Sequence, residues 1–367
     1  RARTARQRSG GHRRSPQTQA SSRQVDGPLL KVTDLRTAFR TDRGLVKSVD
    51  GVSFTLDRGK SLGIVGESGS GKTVLSRSIM GLLPKRNTER SGSVVFEGQE
   101  IINLSLSERR KVWGKEMSMI FQDPMTSLNP VMRVGKQLGE GLKIHLGMSK
   151  ADARATALRL LQDVRIPEPE KRLDQYAFEL SGGMRQRIMI ALAMSCGPTL
   201  LFADEPTTAL DVTVQAQILD LIGEQRRDRN MSVILVTHDL GVVAGHTDEI
   251  AVMYGGKLVE KAPTRVLFAN MKMPYTEALL KSIPKIEDPS HTRLHVIPGR
   301  PPDLVNPPKG CRFSPRCAFV QDRCREEEPP LMSAEHPEHV YACWYPVGSP
   351  VHRERTAQLA AEKVGAH

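Results

Sequence analysis

The sequence predicts an α/β fold with a central parallel sheet, and three segments indicate it. Residues 200–203 and 233–236 are continuously apolar, which is typical of strands buried on both faces of a parallel sheet. Residues 61–65 form a third apolar segment, which leads through a glycine-rich stretch into a predicted helix over 74–83. Strands and helices therefore alternate along the chain, as they do in α/β proteins.

Composition excludes several other classes of protein. The 367-residue chain is 39% hydrophobic and 26% charged, which excludes a collagen-like or wholly disordered chain. Its longest apolar runs, such as residues 188–194, are far shorter than the ~20 residues that cross a bilayer. We therefore expect no transmembrane segment and, because an apolar signal core is missing, no secretory signal.

Residues 1–28 carry a large share of the net charge of +12. They contain seven arginines, a single aspartate and almost nothing apolar, so we expect a disordered tail. Contact of these arginines with anionic lipid or nucleic acid is an alternative interpretation, and a transit peptide is another.

Turn residues separate the predicted elements in the rest of the chain. Spaced apolar residues among charges over 126–180 predict a helical insertion, and the alternation of helix and strand returns over 181–262. A short helix over 275–282 is followed by a proline-rich stretch with four cysteines. The strands expected before residue 125 are 30–35, 53–56, 61–65, 93–97 and 117–121.

Residues 66–73, Gly-Glu-Ser-Gly-Ser-Gly-Lys-Thr, match the phosphate-loop pattern G-x-x-x-x-G-K-[ST]. They lie between a strand and a helix, so backbone N–H groups and the helix N-terminus face a bound anion. Lys72 is expected to reach the β- and γ-phosphates of ATP, and the Thr73 hydroxyl to bind Mg²⁺. The residues predicted to surround the nucleotide phosphates are Gly66, Glu67, Ser68, Gly69, Ser70, Gly71, Lys72 and Thr73.

Two carboxylates follow the apolar strand at 200–203. Asp204 is expected to hold Mg²⁺, and Glu205 to polarise the attacking water. A surface acid pair at the end of a buried strand is the alternative interpretation, which the phosphate loop upstream disfavours.

A second glycine-rich helix start lies at residues 180–187, Leu-Ser-Gly-Gly-Met-Arg-Gln-Arg. Ser181 is a candidate N-cap, and Gly182 with Gly183 could form only a flexible turn. A helix start with adjacent glycines is also a second grip for phosphate. This segment resembles the signature motif of the nucleotide-binding subunits of ATP-binding-cassette (ABC) transporters. The phosphate loop and the two carboxylates described above are similar to motifs of the same family.

The resemblance covers about residues 29–345 and implies a phosphate-loop ABC cassette. Such a cassette has a RecA-like core, an antiparallel β-subdomain and a helical subdomain, here followed by a small cysteine-containing extension. In the family, the segment matching Ser181, Gly182 and Gly183 closes on ATP held by the phosphate loop of another subunit. The domains expected are a tail (1–28), a nucleotide-binding domain (29–262, with its helical subdomain at about 126–195), a C-terminal extension (263–346) and a second tail (347–367).

Further site residues are implied by the resemblance alone. Gln122 matches the glutamine that contacts the metal ion or water and senses the membrane subunits. Asp211, which ends the segment Ala-Leu-Asp, matches the loop that crosses to the partner site, and His238 matches the histidine that contacts the γ-phosphate. Phe39 is the candidate for the aromatic side chain that stacks on adenine. The implied catalytic residues are Glu205, His238 and Gln122, and the implied Mg²⁺ site is Thr73, Gln122 and Asp204.

Residues 121–130, 181–187 and 203–215 more narrowly resemble the oligopeptide, dipeptide and nickel importer branch. This implies an ATPase that lies at the cytoplasmic face of the membrane and powers the import of peptides. Nickel or another small solute is the alternative cargo. The implied partners are two integral membrane permease subunits, an extracytoplasmic solute-binding protein and a second homologous ATPase. A heterodimer of ATPases is favoured, and a homodimer is the alternative.

A different class of function is a soluble ABC ATPase that acts on nucleic acid or the ribosome, as the basic tail suggests. Such proteins usually carry two cassettes or a long coiled-coil insertion, and this sequence shows neither. We therefore expect no nucleic acid partner.

Four of the five cysteines lie in the loop-rich C-terminal segment, and Cys196 is expected to be a small buried residue in the helix after the signature. Four thiolates suit a zinc ion or an iron–sulfur cluster, and unligated thiols stay open. The resemblance to the C-terminal extension of peptide importers implies a [4Fe-4S] cluster. Its ligands would be Cys311, Cys317, Cys324 and Cys343.

Arginines near these cysteines suggest a further hypothesis, a redox sensor that gates the ATPase. Exposed guanidinium groups there would lower thiol pKa values or tune a cluster. A solvated basic face is the alternative interpretation. The arginines concerned are Arg312, Arg316, Arg323 and Arg325.

Overall fold

The computed structural model describes residues 27–207, 211–283 and 296–364. The predictions for the amino-terminal tail fall almost wholly outside these ranges. In chain order, the described strands are β1 (Leu30–Thr41), β2 (Gly44–Leu56), β3 (Ser61–Val65), β4 (Thr88–Phe96), β5 (Gln99–Glu100), β6 (Met117–Ile120), β7 (Leu200–Asp204), β8 (Ser232–Thr237), β9 (Glu249–Tyr254), β10 (Lys257–Pro263), β11 (Met332–Ser333) and β12 (Val340–Tyr341).

The described helices connect these strands and extend the chain beyond them. In chain order they are α1 (Lys72–Met80), α2 (Leu106–Val112), α3 (Pro124–Ser127), α4 (Val134–Leu146), α5 (Lys150–Asp163), α6 (Pro169–Leu173), α7 (Gly182–Met194), α8 (Val212–Arg229), α9 (Leu240–Ala244), α10 (Thr264–Asn270), α11 (Pro274–Lys281), α12 (Asp322–Glu326) and α13 (Pro350–Val364). Short 3₁₀ helices cover Ala177–Glu179 and Ser314–Arg316. Among the described residues, every helix is too short or too polar to cross a bilayer.

The larger sheet has the strand order β11-β12-β10-β9-β3-β8-β7-β6. Strands β9, β3, β8, β7 and β6 run parallel, and β10, β12 and β11 add an antiparallel edge. Strands β3, β7 and β8 are buried along their whole length, which explains their continuous apolar sequences. The predicted α/β fold with a parallel sheet is confirmed.

The smaller sheet is antiparallel, with the order β2-β1-β4-β5. Its first strand is longer than the sequence predicts: β1 continues past the expected end at residue 35 to Thr41. The pairing register of β1 shifts near Asp34, which has a φ of 46°, and the exposed Arg36 follows. Such a bulge changes the alternation of apolar and polar residues, so the second half of the strand loses its periodic signal.

The predicted helical insertion is present between β6 and β7. Helices α4, α5 and α7 pack on one another through fully buried residues such as Leu138, Leu142 and Leu161. Helix α2 was not predicted, because none of its residues is buried and it therefore has no apolar stripe. A capping box stabilises its start: Ser105 Oγ accepts from Glu108 N, and the Glu108 carboxylate accepts from Ser105 N.

The carboxyl-terminal segment packs back on the cassette. Strand β12 pairs with β10, and the backbone N–H of Ala342 donates to Val259 O at 2.8 Å. The fully buried His339 Nε2 lies 2.8 Å from Glu260 Oε1, which fixes this corner. Helix α13 lies within the expected second tail. These contacts attach the C-terminal segment to the antiparallel side of the larger sheet, beyond β9.

Candidate active site

The phosphate loop, Asp204, Glu205 and His238 come together where neighbouring parallel strands end. The pairs β3–β8 and β7–β8 place the carboxyl ends of these strands side by side. The loop 66–71 follows β3, Asp204 ends β7, and His238 follows directly after β8. Ligands of open parallel sheets bind at this edge, so three distant parts of the sequence meet where a nucleotide is expected.

Two glycines of the loop are required by the chain's own backbone. Gly66 has a φ of 156°, and a Cβ there would lie 2.2 Å from Met253 O. Gly71 has a φ of 101°, and a Cβ there would lie 2.1 Å from Ser48 O. Ser68 and Gly69 are exposed at the loop tip, whereas Ser70 is buried. The loop can therefore pass close to its neighbours only with glycine at both ends.

Lys72 is buried at the start of α1 and points back along the loop. Its Nζ donates to Gly66 O at 2.7 Å and to Glu67 O at 3.0 Å. Burial lowers the pKa of Lys72, and the carboxylates of Glu205, Asp204 and Glu67 oppose this effect. The ammonium is thus held among negative charges, at the place where phosphate oxygens are expected.

Asp204 and Thr73 have the features of a magnesium site. The Thr73 hydroxyl donates to Asp204 Oδ1 at 2.9 Å, and Asp204 Oδ2 is buried with no hydrogen-bond partner among the described residues. Burial is the main cause that raises the pKa of Asp204, and the nearby Glu205 adds to it. A buried carboxylate oxygen without a donor is costly unless a cation binds there. The two side chains therefore fit Mg²⁺, which prefers oxygen ligands.

Glu205 is oriented by two of the predicted catalytic residues. Gln122 Nε2 donates to Glu205 Oε2 at 2.9 Å, and His238 Nδ1 lies 3.5 Å from Glu205 Oε1. Glu205 has a φ of 46°, which is rare for a residue with a side chain, and its N–H donates to Val236 O at 2.9 Å. The strained backbone directs the carboxylate to the strand ends.

The second glycine-rich segment begins helix α7. Ser181 is its N-cap, and the Ser181 Oγ accepts from Met184 N at 3.3 Å. A Cβ at Gly182 would meet no atom within 4 Å, and one at Gly183 would make only an ordinary contact of 3.8 Å with Val214. Unlike the loop glycines, Gly182 is therefore not explained by the described part of the chain.

The remaining implied residues lie apart from this cluster or at its border. Asp211 is exposed and caps α8, because its Oδ1 accepts from Val214 N at 2.9 Å. Residues 209 and 210, which precede it in the implied crossing loop, lie outside the described residues. Phe39 is half-buried in β1 opposite Val46, so its role in stacking on adenine stays a prediction.

The four C-terminal cysteines lie around one cavity of about 20 Å³ and are free thiols. That volume suits a single water molecule. Within the described ranges, no group of three or more His, Cys, Asp or Glu side chains is arranged to hold a metal ion. The structure therefore does not support the predicted [4Fe-4S] cluster on Cys311, Cys317, Cys324 and Cys343.

The sensor hypothesis expects lowered thiol pKa values, but the pKa values of three of these thiols are raised. Burial raises the pKa of Cys311 to about 11 and that of Cys317 to about 12. The pKa of Cys343 is raised for the same reason. The expectation that arginines lower these pKa values is wrong, because desolvation outweighs any favourable charge.

Two of the four arginines expected on an exposed face are buried instead. Arg312 donates to Gly255 O and forms an ion pair with Asp50. Arg316 donates to both carboxylate oxygens of Glu67, in the phosphate loop. Sequence reasoning missed this contact, since no local spacing relates residues 249 positions apart.

The fold and the site define a phosphate-loop ATPase of the ABC type. The family described as ABC transporter matches residues 49–208. The solved dimeric structure of MJ0796, a bacterial ABC transporter cassette, is 25% identical with a TM-score of 0.58, covering 64% of this chain and 99% of that chain. The structure of cbiO1 from Clostridium perfringens is 26% identical with a TM-score of 0.57, covering 66% and 91%.

A second family match and the sequence relatives narrow the class. The family described as oligopeptide/dipeptide transporter, C-terminal region, matches residues 259–324. The oligopeptide transport ATP-binding protein OppD of Haemophilus influenzae is 49% identical over 317 residues, covering 86% of this chain and 97% of that protein. OppD of Escherichia coli is 50% identical over 319 residues, covering 87% and 94%. The chain belongs to the OppD family of ABC transporter ATP-binding subunits.

Proposed function

We propose that this chain hydrolyses ATP to power peptide import, and that it works at the cytoplasmic face of a membrane. The observation that carries the proposal is the assembly of Lys72, Thr73, Asp204 and Glu205 at one edge of the parallel sheet. The peptide cargo is supported by relatives at 49% and 50% identity that are named oligopeptide transport proteins.

Hydrolysis needs a water molecule aligned with the γ-phosphate and a group that polarises it. Glu205 is that group. Gln122 donates to one of its oxygens, and His238 lies beside the other, so the carboxylate is fixed toward one direction. The exposed imidazole of His238 also has room to contact the γ-phosphate.

Binding of the triphosphate depends on Lys72, Thr73 and Asp204. The Lys72 ammonium exchanges the carbonyls of Gly66 and Glu67 for phosphate oxygens, which are better partners because they are charged. Thr73 and Asp204 would hold Mg²⁺. A Mg²⁺ ion bound there would neutralise the negative charge that develops on the phosphates.

We further propose that each ATP lies between two ATPase chains. The support is Gly182, which is exposed at the start of α7 although a Cβ there would meet nothing in the described chain. A group from outside the chain that approaches the bare N–H groups would explain the glycine, and a phosphate is such a group. A bacterial ABC cassette of the same fold has a dimeric solved structure.

An apolar groove of about 320 Å³ beside Gln122 is the place where we propose that a membrane subunit docks. Trp113, Met119 and Phe121 line it together with residues of α7, and Phe121 is 38% exposed. The exposed cations Lys111 and Lys115 line a neighbouring cleft that shares Trp113 and His145 with the groove. The fitting occupant is a short helix of an integral membrane partner that carries apolar side chains and a carboxylate. Movement of that helix would reach Glu205 through Gln122.

We propose that the four cysteines of the C-terminal extension hold an iron–sulfur cluster. The support is that all four thiols line one cavity and are soft ligands. Binding would require the cavity to widen and the thiols to lose their protons. Iron and sulfide assays on anaerobically purified protein test this proposal, and protein with neither element but full transport would contradict it.

The transport proposal is tested by reconstitution. The chain is purified with the membrane proteins that accompany it, placed in vesicles, and assayed with labelled short peptides and with Ni²⁺. We expect MgATP-dependent peptide uptake that Glu205→Gln abolishes while ATP still binds. Uptake of Ni²⁺ alone would overturn the peptide cargo, and recovery with ribosomes or nucleic acid from salt-washed extract would overturn transport.

A further inference from the structure

The C-terminal segment reaches the phosphate loop through an ion pair between Arg316 and Glu67. Arg316 Nη1 and Nη2 donate to the two carboxylate oxygens of Glu67 at 2.5 and 2.9 Å. The Arg316 side chain is 4% exposed, and that of Glu67 is 27% exposed. A bidentate pair of this kind fixes orientation as well as charge. The carboxylate of the second loop residue is thereby held by a segment that the nucleotide motifs do not include.

The guanidinium of Arg316 is itself fixed by other groups. Its Nε donates to Pro298 O at 2.8 Å, and its Nη2 donates to Ile297 O at 3.2 Å. It also lies over the Tyr254 ring, 5.9 Å from the ring centre. Because these partners belong to the C-terminal segment and to β9, the arginine keeps its place independently of the loop.

The main chain of Glu67 is held from the same side. Its N–H donates to the hydroxyl of Tyr275, a fully buried residue of α11, at 2.8 Å. The Tyr275 ring packs against Tyr254 and Phe313, with ring centres 4.5 and 5.3 Å away. Both the backbone and the side chain of Glu67 are therefore tied to elements beyond the parallel core.

This arrangement bears on the nucleotide because Glu67 lies beside Lys72. The Lys72 Nζ donates to the Glu67 carbonyl at 3.0 Å, and the Glu67 carboxylate contributes to the negative charge around that ammonium. An unpaired carboxylate at this position would compete with the phosphates for Lys72 and would repel them. The Arg316 guanidinium removes that competition.

We propose that Arg316 is a positioning residue for the ATPase: by holding and neutralising Glu67, it sets the affinity of the phosphate loop for MgATP. This role rests on the proposed ATP hydrolysis and adds to it. The C-terminal segment thereby controls nucleotide affinity without touching the nucleotide.

The test compares Arg316→Gln with a double variant in the full-length chain. We expect Arg316→Gln to raise the KM and the Kd for MgATP about tenfold, with kcat within about twofold of the unchanged protein. Adding Glu67→Gln removes the charge that needs a partner, so the double variant should recover most of the lost affinity. Arg316→Lys keeps the charge but loses the bidentate geometry, and a rise of about threefold is expected.

Arg312→Gln is the matched control, because Arg312 is a buried arginine of the same segment that pairs with Asp50 rather than with the loop. It should lower the melting temperature as Arg316→Gln does but leave the KM unchanged. Amide hydrogen exchange of residues 66–71 should accelerate only in the Arg316 variants. If Arg316→Gln does not fold, Arg316→Lys alone decides the question.

Three results would overturn the proposal. They are an unchanged KM in folded Arg316→Gln and Arg316→Lys, an equal rise in Arg312→Gln, or no recovery on adding Glu67→Gln. Failure of the proposed function is distinguishable, because the unchanged protein would then lack MgATP hydrolysis altogether.

Discussion

Some residues of the site are explained by the fold of this chain and others are not, and Ser181 and Gly182 show the difference most clearly. Ser181 caps α7 within its own chain, so its hydroxyl already has a structural task. Gly182, the next residue, is exposed and has free space where a Cβ would be. A structural requirement therefore accounts for the serine but not for the glycine, which we assign to contact with a phosphate bound by another chain.

Gly182→Ala separates these two roles. The fold should tolerate it, since alanine is favoured over glycine in a helix by up to about 1 kcal/mol. The added methyl group would stand where phosphate is expected, so ATP turnover should fall at least about tenfold. Thermal melting and steady-state ATPase assays measure the two effects. Unchanged turnover in a stable variant would exclude a phosphate at this helix start.

Asp204 gives a prediction that depends on pH. Burial raises its pKa in the folded, nucleotide-free protein, so its ionisation opposes folding once the pH exceeds the unfolded value of 3.8. Asp204→Asn should therefore increase the free energy of unfolding by about 1 kcal/mol at neutral pH, and the gain should shrink as the pH falls. The same variant should lose the Mg²⁺-dependent part of nucleotide stabilisation. Urea unfolding at pH 5 to 8 tests it, and a gain that grows toward acid pH would contradict the argument.

Among the elements, the sequence predicts those whose burial is uniform. Strands β3, β7 and β8 are buried on both faces, so an apolar run alone reveals them. The exposed helix α2 depends on a capping box instead of an apolar stripe, and it gives no periodic signal. The motif residues of the site were predictable because each lies next to a strand or helix end.

The contact between Arg316 and Glu67 could not be predicted in this way. It depends on how a C-terminal 3₁₀ helix packs on the cassette, and neighbouring residues do not encode that packing. The arginines of that segment look alike in the sequence, yet Arg312 and Arg316 are buried whereas Arg323 and Arg325 are exposed. Charge composition therefore predicts a basic segment without predicting which cation reaches the site.

At the scale of elements, the groove between α7 and the strand end at Phe121 predicts the effect of a charge reversal. Lys111→Glu combined with Lys115→Glu should reduce co-purification with the membrane subunits several-fold, since the reversed charges in the neighbouring cleft would repel a carboxylate on the docking helix. Lys31→Glu with Lys60→Glu is the matched control, because these cations are also exposed but line another cleft. Equal losses from both pairs would contradict docking at this groove.

The whole molecule holds only part of each proposed catalytic site. The loop with Lys72 and the carboxylates of Asp204 and Glu205 meet at one sheet edge, whereas Ser181 and Gly182 face outward on a separate helix start. If a second chain completes the ATP site, the ATP turnover per chain must depend on the concentration of paired chains. A site complete in one chain would give a constant turnover at every dilution.

We therefore expect the ATP turnover per chain to fall on dilution and to rise again when the partner ATPase, or more of the same chain, is added. ATPase assays run beside analytical ultracentrifugation at each concentration relate turnover to pairing. Glu205→Gln should shift the equilibrium toward the pair when ATP is present, because bound nucleotide bridges the chains and is not hydrolysed. Full turnover at dilutions where sedimentation shows only single chains would mean that the outward-facing glycine has another purpose, and the shared site would have to be abandoned.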